Sequence, residues 1–319
     1  MSGNEKEAVC VAQTVKISET EREERKRHNK FRYRYSLTAY LMLLPAFVLI
    51  TIFVIVPLLM ALVRSFEDYQ TSEFVGLYNF EYILTTPQFT KSCLNVVIFT
   101  VIITVLMVVL SFLFALALKS LSNRLSNAAR VVIYIPFFIS GIVASILFQM
   151  IINYGGGLIS SILFSLDMDP ISFTTDGLWP YVSVIVPTIW LGFGYNSLVM
   201  YAGIINIPKE YFEAANIDGA NGWNKMWHIT VPNMRNYYVL IIINLVTVHM
   251  QMMEIPFMIT GGGPLNKTLT PVLYLFNSFR DPSRPENVTI AGAFLVMLFI
   301  MALNIIVFRT VRSEKNADA

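Results

Sequence analysis

Asn244, Thr247, Gln251 and Glu254 are the residues of this sequence best spaced to do chemistry together. They stand at i, i+3, i+7 and i+10, which on a helix places them within an arc of about 80°. Two amides, a hydroxyl and a carboxylate on one stripe suit a hydroxyl-rich solute. The stripe lies in an otherwise apolar run, and Glu254 is the one Asp, Glu, Lys or Arg inside any such run. A charge at the bilayer centre costs about 2.5–3.5 kcal/mol, so it is expected to face inward. The same groups could instead hydrogen-bond neighbouring helices. Both uses, solute path and bundle cohesion, stay open. His249 falls on the opposite face and reads as a packing residue.

Enzyme chemistry finds little footing. The three histidines are His28, His228 and His249. They show no metal-ligand spacing and no pairing with a nucleophile. A phosphate-cradling loop needs G-x-x-x-x-G-K-[ST], and the dipeptide Gly-Lys is absent. Catalytic, cofactor and metal residues are therefore expected to be none.

A second constellation lies at 206–232, reading NIPKEYFEAANIDGANGWNKMWHITVP. Pro208 suits the first turn of a helix. Lys209–Ile217 are good helix formers, and Asp218-Gly219 stops them. Asn221 suits the cap of a second short helix, with Trp223, Met226 and Trp227 on one side. Pro232 opens the next apolar run. The pattern predicts a helix–turn–helix hairpin. Its small residues Ala214, Ala215, Gly219 and Ala220 leave room for another protein to approach, although an amphipathic loop lying on a membrane fits the composition equally.

The elements that must position these groups follow from composition. Of 319 residues 55% are hydrophobic and only 14% charged, against about 25% charged in soluble chains. Most of the exterior must face lipid. A net charge of +2 gives no reason to expect nucleic acid. Six runs are long enough to cross a bilayer: Leu37–Val63, Leu94–Leu118, Val131–Ile152, Trp179–Ile205, Tyr237–Ile259 and Val288–Phe308. Pro45, Pro57, Pro136, Pro187 and Pro256 fall in or near them, which membrane helices tolerate. With the N-terminus inside, the cytoplasmic segments carry 18 of the 23 Lys and Arg residues. That asymmetry predicts both termini and the hairpin on the cytoplasmic side. The expected organisation is a basic head at 1–36, a six-span domain at 37–309 and a tail at 310–319. In the head, Glu21 with Arg25 and Glu23 with Arg27 favour a solvated helix, leading into an interfacial belt of aromatic and basic residues.

The hairpin closely resembles the cytoplasmic loop of bacterial ABC importer permeases, whose signature runs Glu-Ala-Ala, Asp-Gly-Ala and Ile-x-Leu-Pro. Here it reads Glu213-Ala214-Ala215, Asp218-Gly219-Ala220 and Ile229-Thr230-Val231-Pro232, with Val231 in place of Leu. A later segment, Thr260-Gly261-Gly262-Gly263-Pro264 followed by Thr268, Thr270, Tyr274 and Phe276, resembles carbohydrate-uptake permeases of the maltose and glycerol-phosphate types. The resemblance implies an all-α polytopic membrane protein whose 206–232 loop is a coupling hairpin. Glu213, Ala214, Ala215, Asp218, Gly219 and Ala220 would then meet an ATPase subunit. It further implies a second permease subunit, two ATPase subunits that use ATP and Mg, an extracytoplasmic sugar-binding protein, and a bacterial plasma membrane. Asn244, Thr247, Gln251 and Glu254 would line the substrate path.

Rival functions leave other marks. An ion-coupled secondary transporter favours paired intramembrane acids, broken helices and internal symmetry, where this chain has one acid and no visible repeat. A voltage sensor needs an Arg series. A permease of the same type for amino acids, peptides or glycerol phosphate stays as the alternative.

Overall fold

The computed structural model describes residues 40–312, so the basic head at 1–36 and the end of the tail lie outside the described residues. Two units meet at Val63/Arg64 and are described separately. The first holds α1 (Tyr40–Arg64), with a mean hydropathy of 3.0 over its most apolar stretch. A π-turn at Thr51–Ile55 widens α1 just before Pro57. Proline has no N–H for the carbonyl four residues back and its ring crowds that carbonyl, so the helix loosens there. Thr51 Oγ1 donates to Phe47 O at 2.8 Å in the turn that precedes it.

The second unit contains α2 (Tyr78–Thr85), α3 (Pro87–Ser120), α4 (Asn123–Tyr134), α5 (Gly141–Ile152), α6 (Leu158–Ser165), α7 (Trp179–Ile205), α8 (Lys209–Ile217), α9 (Gly222–Lys225), α10 (Arg235–His249), α11 (Glu254–Thr260), α12 (Pro271–Arg280) and α13 (Glu286–Arg312). Among the described residues there is one isolated bridge, Glu67 with Phe74, and no sheet. The architecture is all-α. Four helices, α1, α3, α7 and α13, are long and apolar enough to cross a membrane alone. Six segments are reached when the bent pairs α4–α5 and α10–α11 each count as one.

The pairing of α3 with α7 forms the centre. Phe99, Ile103 and Met107 of α3 bury against Val184, Met200 and Ile204 of α7, with Ile241 and Leu245 of α10 beside them. The opposite side of α3 shows Leu94, Val101, Val105 and Val109 to the exterior. Apolar residues all round a helix mark a membrane segment. A second cluster joins Ile83, Phe89, Leu273, Tyr274 and Val296, and packs α2 and α12 on α3 and α13.

Two of the expected continuous spans are broken. The run Val131–Ile152 bends by 100° between Phe138 and Gly141. Pro136 sits in a 3₁₀ turn at Ile135–Phe138, after which Ile139 is extended. Ser140 then starts a new helix by accepting Ile142 N–H at 3.2 Å. The run Tyr237–Ile259 bends by 49° between α10 and α11. Pro256 deprives Met252 O of its helical donor, and Thr270 Oγ1 takes that carbonyl at 2.7 Å. Thr270 also caps α12, accepting Leu273 N–H at 3.4 Å. It is fully buried. Thr270→Val should therefore lower unfolding stability by about 1–3 kcal/mol, because it leaves a buried carbonyl and a helix N-terminus unpaired. Thermal unfolding of the purified chain in detergent measures this, and an unchanged midpoint would contradict the assignment.

Candidate functional site: a cavity between two helix breaks and a hairpin

The two breaks face each other. α5 and α11 run side by side in the same direction, since Gly141 lies against Glu254 at one end and Gln149 Nε2 donates to Met258 O further along. A Cβ on Gly141 would overlap Glu254 Oε2, so glycine is what lets the carboxylate approach the start of α5. A cavity of about 570 Å³ opens at this point. Its walls include Phe137 and Gly141 at the first break, Leu191 and Gly192 of α7, and His249, Gln251 and Glu254 at the second. Such a volume falls in the range of small-molecule sites, which are mostly apolar with a few placed polar groups.

The four stripe residues are not together on one helix. Asn244 and Thr247 belong to α10, Gln251 lies in the break, and Glu254 begins α11. The arc derived from one continuous helix is thus corrected, because the chain leaves helical geometry at 250–253. Thr247 Oγ1 donates to Asn304 Oδ1 of α13 at 3.0 Å, so it holds the bundle together. Asn244 is exposed and does not line the cavity. Gln251 and Glu254 do line it. Gln251 Nε2 donates to Thr247 O at 3.1 Å, which leaves its carbonyl oxygen available. Among the described residues Glu254 has neither an ion-paired nor a hydrogen-bonded side-chain partner.

His249 was expected to pack on the opposite face. It is buried, yet it lines the cavity as well. Its Nδ1 lies 2.8 Å from Leu245 O. A carbonyl only accepts, so Nδ1 carries the hydrogen and a neutral ring offers Nε2 as an acceptor. The cavity thus has four acceptor-bearing side chains, Thr188, His249, Gln251 and Glu254, among apolar walls. Phe137, Gly141 and Gly192 were invisible to periodicity, because they come from other segments. Pro136 and Pro256 were the available signals for the breaks.

The hairpin forms the second site. Helix α8 starts after Pro208, which occupies the cap and not the first turn. Gly219 adopts φ 73°, the left-handed conformation that turns the chain. Asn221 Oδ1 accepts Asn224 N–H at 2.8 Å and starts α9. The return arm then widens into a π-turn at Met226–Thr230, just before Pro232. Lys225 Nζ donates to Asn216 Oδ1 at 2.5 Å, tying the two arms. At the base, Asn206 Nδ2 donates to Tyr237 OH at 2.8 Å. The Lys119 ammonium lies 3.9 Å from the Phe212 ring centre, linking α3 to α8. The hairpin is clamped to α3, α7 and α10. Its tip is open: Glu213, Ala214, Asp218 and Gly219 are exposed, while Ala215 and Ala220 are half-buried. Ile217, which sequence reasoning did not single out, is 88% exposed.

Known proteins are similar to this chain in sequence and in fold. Residues 115–313 match the family described as binding-protein-dependent transport system inner membrane component. The lactose transport system permease protein of Rhizobium radiobacter is 28% identical, with 88% of this chain and 96% of that protein covered. The trehalose/maltose transport system permease protein of Thermococcus litoralis is 26% identical, with 86% and 93% covered. Among solved structures, a chain of a bacterial ABC transporter involved in import of the acidic polysaccharide alginate superposes with a TM-score of 0.77. It is 20% identical, with 88% of this chain and 96% of that chain covered, a likeness of fold.

Proposed function

We propose, because the chain belongs to the family of inner membrane components of binding-protein-dependent transport systems, that it forms one half of an ATP-driven import path for sugars or oligosaccharides. The observation that carries the reading is the cavity at the two helix breaks. Broken membrane helices free backbone and side-chain groups for a solute at mid-depth. His249, Gln251 and Glu254 supply acceptors for hydroxyls, and Leu191, Met252 and Val272 supply apolar walls. The names of the lactose and trehalose/maltose relatives point to the same solute class.

The other parts follow as proposals. The hairpin end faces the cytoplasm, with both termini on that side. A separate ATPase subunit seats the hairpin through Ile217, the Glu213-Ala214-Ala215 face and the Asp218-Gly219-Ala220 turn. ATP and Mg are used there and not in this chain. A second permease completes the path, a second ATPase serves it, and an extracytoplasmic binding protein delivers the sugar. A hairpin clamped at its base converts closure of the ATPases into movement of α7 and α10.

The test is ATP hydrolysis by the reconstituted complex with its binding protein. A panel of mono- and disaccharides, glycerol phosphate, a basic amino acid and a dipeptide is supplied in turn. Stimulation by a sugar is expected. The unpaired Glu254 carboxylate gives a cationic solute one specific point in its favour, so stimulation by the amino acid alone would replace the sugar reading.

A further inference from the structure

A second cavity lies beyond the first, on the same pair of helices. It measures about 480 Å³ and is lined by Gln149, Asn153, Tyr154, Phe173, Thr174 and Ile259, among others. Ile255 borders the first cavity and Ile259 the second. They are four residues apart on one face of α11, so the second cavity lies further along its axis than the first. On α5 the walls pass from Gly141 to Gln149 in the same direction. Under the orientation proposed above, this second cavity is the one nearer the outside.

Its lining differs from that of a lipid-facing groove. Asn153 and Tyr154 are exposed, follow the end of α5 and present an amide and a phenol. Thr174 adds a hydroxyl. The Phe173 ring is held by Trp179 at 4.9 Å, edge to face, which fixes one apolar wall. Gln149 Nε2 is already engaged by Met258 O, so its carbonyl oxygen is the part left for a ligand. An apolar or aromatic wall with amides and hydroxyls at its rim fits the C–H face and the hydroxyl edge of one pyranose ring.

We propose that this outer cavity is a second carbohydrate subsite, which takes the ring next to the one held at His249, Gln251 and Glu254. The inference rests on the sugar reading and deepens it: the cargo is a chain of at least two sugar units. An oligosaccharide then gains contacts at both levels, whereas a monosaccharide fills one.

The test compares uptake into proteoliposomes of glucose, its α-1,4 and β-1,4 dimers and the corresponding trimers. The wild-type complex is set against the double variant Asn153→Ala/Tyr154→Ala. Both positions are exposed, which keeps the fold out of the comparison. Wild type should prefer a dimer or trimer over glucose, and the variant should lose about tenfold of that preference, the effect of about one lost hydrogen-bonded contact. An unchanged ratio in the variant overturns the outer subsite. So does a wild-type complex that accumulates glucose alone, and that result leaves the sugar reading intact. A wild-type complex that accumulates none of the five sugars overturns the sugar reading together with the subsite.

Discussion

Gly219→Val is expected to abolish most solute-stimulated ATP hydrolysis by the assembled importer while leaving this chain inserted in the membrane. Gly219 holds φ 73° at the tip of the hairpin. Beyond its two chain neighbours, no described heavy atom lies within 4 Å of the place where its Cβ would stand. The substitution therefore strains the backbone without creating a clash. A non-glycine residue in that region costs about 1–2 kcal/mol, and a β-branched one more. Through the tip alone, that corresponds to a loss of roughly tenfold or more in seated hairpin. Gly219→Asn provides the control, because asparagine visits the left-handed region far more readily. It should keep most of the coupling. Equal stimulation in wild type and Gly219→Val, with the ATPase fully retained, would rule out a role for the turn.

Glu254 is the second position with a large expected effect. Its carboxylate lines the cavity and has no cation beside it among the described residues. Glu254→Gln keeps the shape and removes the charge. Hydrogen bonds to a charged group are worth about 1.5–3 kcal/mol, so uptake per assembled complex should fall by about tenfold or more. Glu254→Leu removes the acceptors altogether and should do more. Gly141→Val reaches the same result from the other wall, since its side chain takes the space of Glu254 Oε2. If Glu254 served cohesion instead, assembly would drop while each surviving complex transported normally. Thr247 differs from Glu254 in this respect, because it bonds to Asn304 on α13.

The apolar segments were readable from the sequence because lipid imposes one requirement along each of them. Trp179–Ile205 has the same bounds in the structure as in the hydropathy pattern. The hairpin was readable because its turn chemistry is local: Asp218-Gly219 stops one helix and Asn221 starts the next. The breaks were not read, although Pro136 and Pro256 mark both. Membrane helices often carry proline without breaking, as α7 does at Pro187. What decides the outcome at Pro256 is a partner for the freed carbonyl, and Thr270 supplies it from 18 residues away in the chain. Periodicity cannot register a contact of that kind. The same limit hid the cavity, whose walls come from four segments that no single repeat connects.

The function proposed for this chain is to help carry a sugar across a membrane at the expense of ATP. Accumulation of radiolabelled sugar in proteoliposomes holding the full complex, with the loaded binding protein on one side, tests it most directly. Accumulation above the outside concentration is expected when ATP is present on the hairpin side, and none when ATP is replaced by a non-hydrolysable analogue. Accumulation that persists without hydrolysis and follows an imposed ion gradient would contradict the claim and identify an ion-coupled carrier instead.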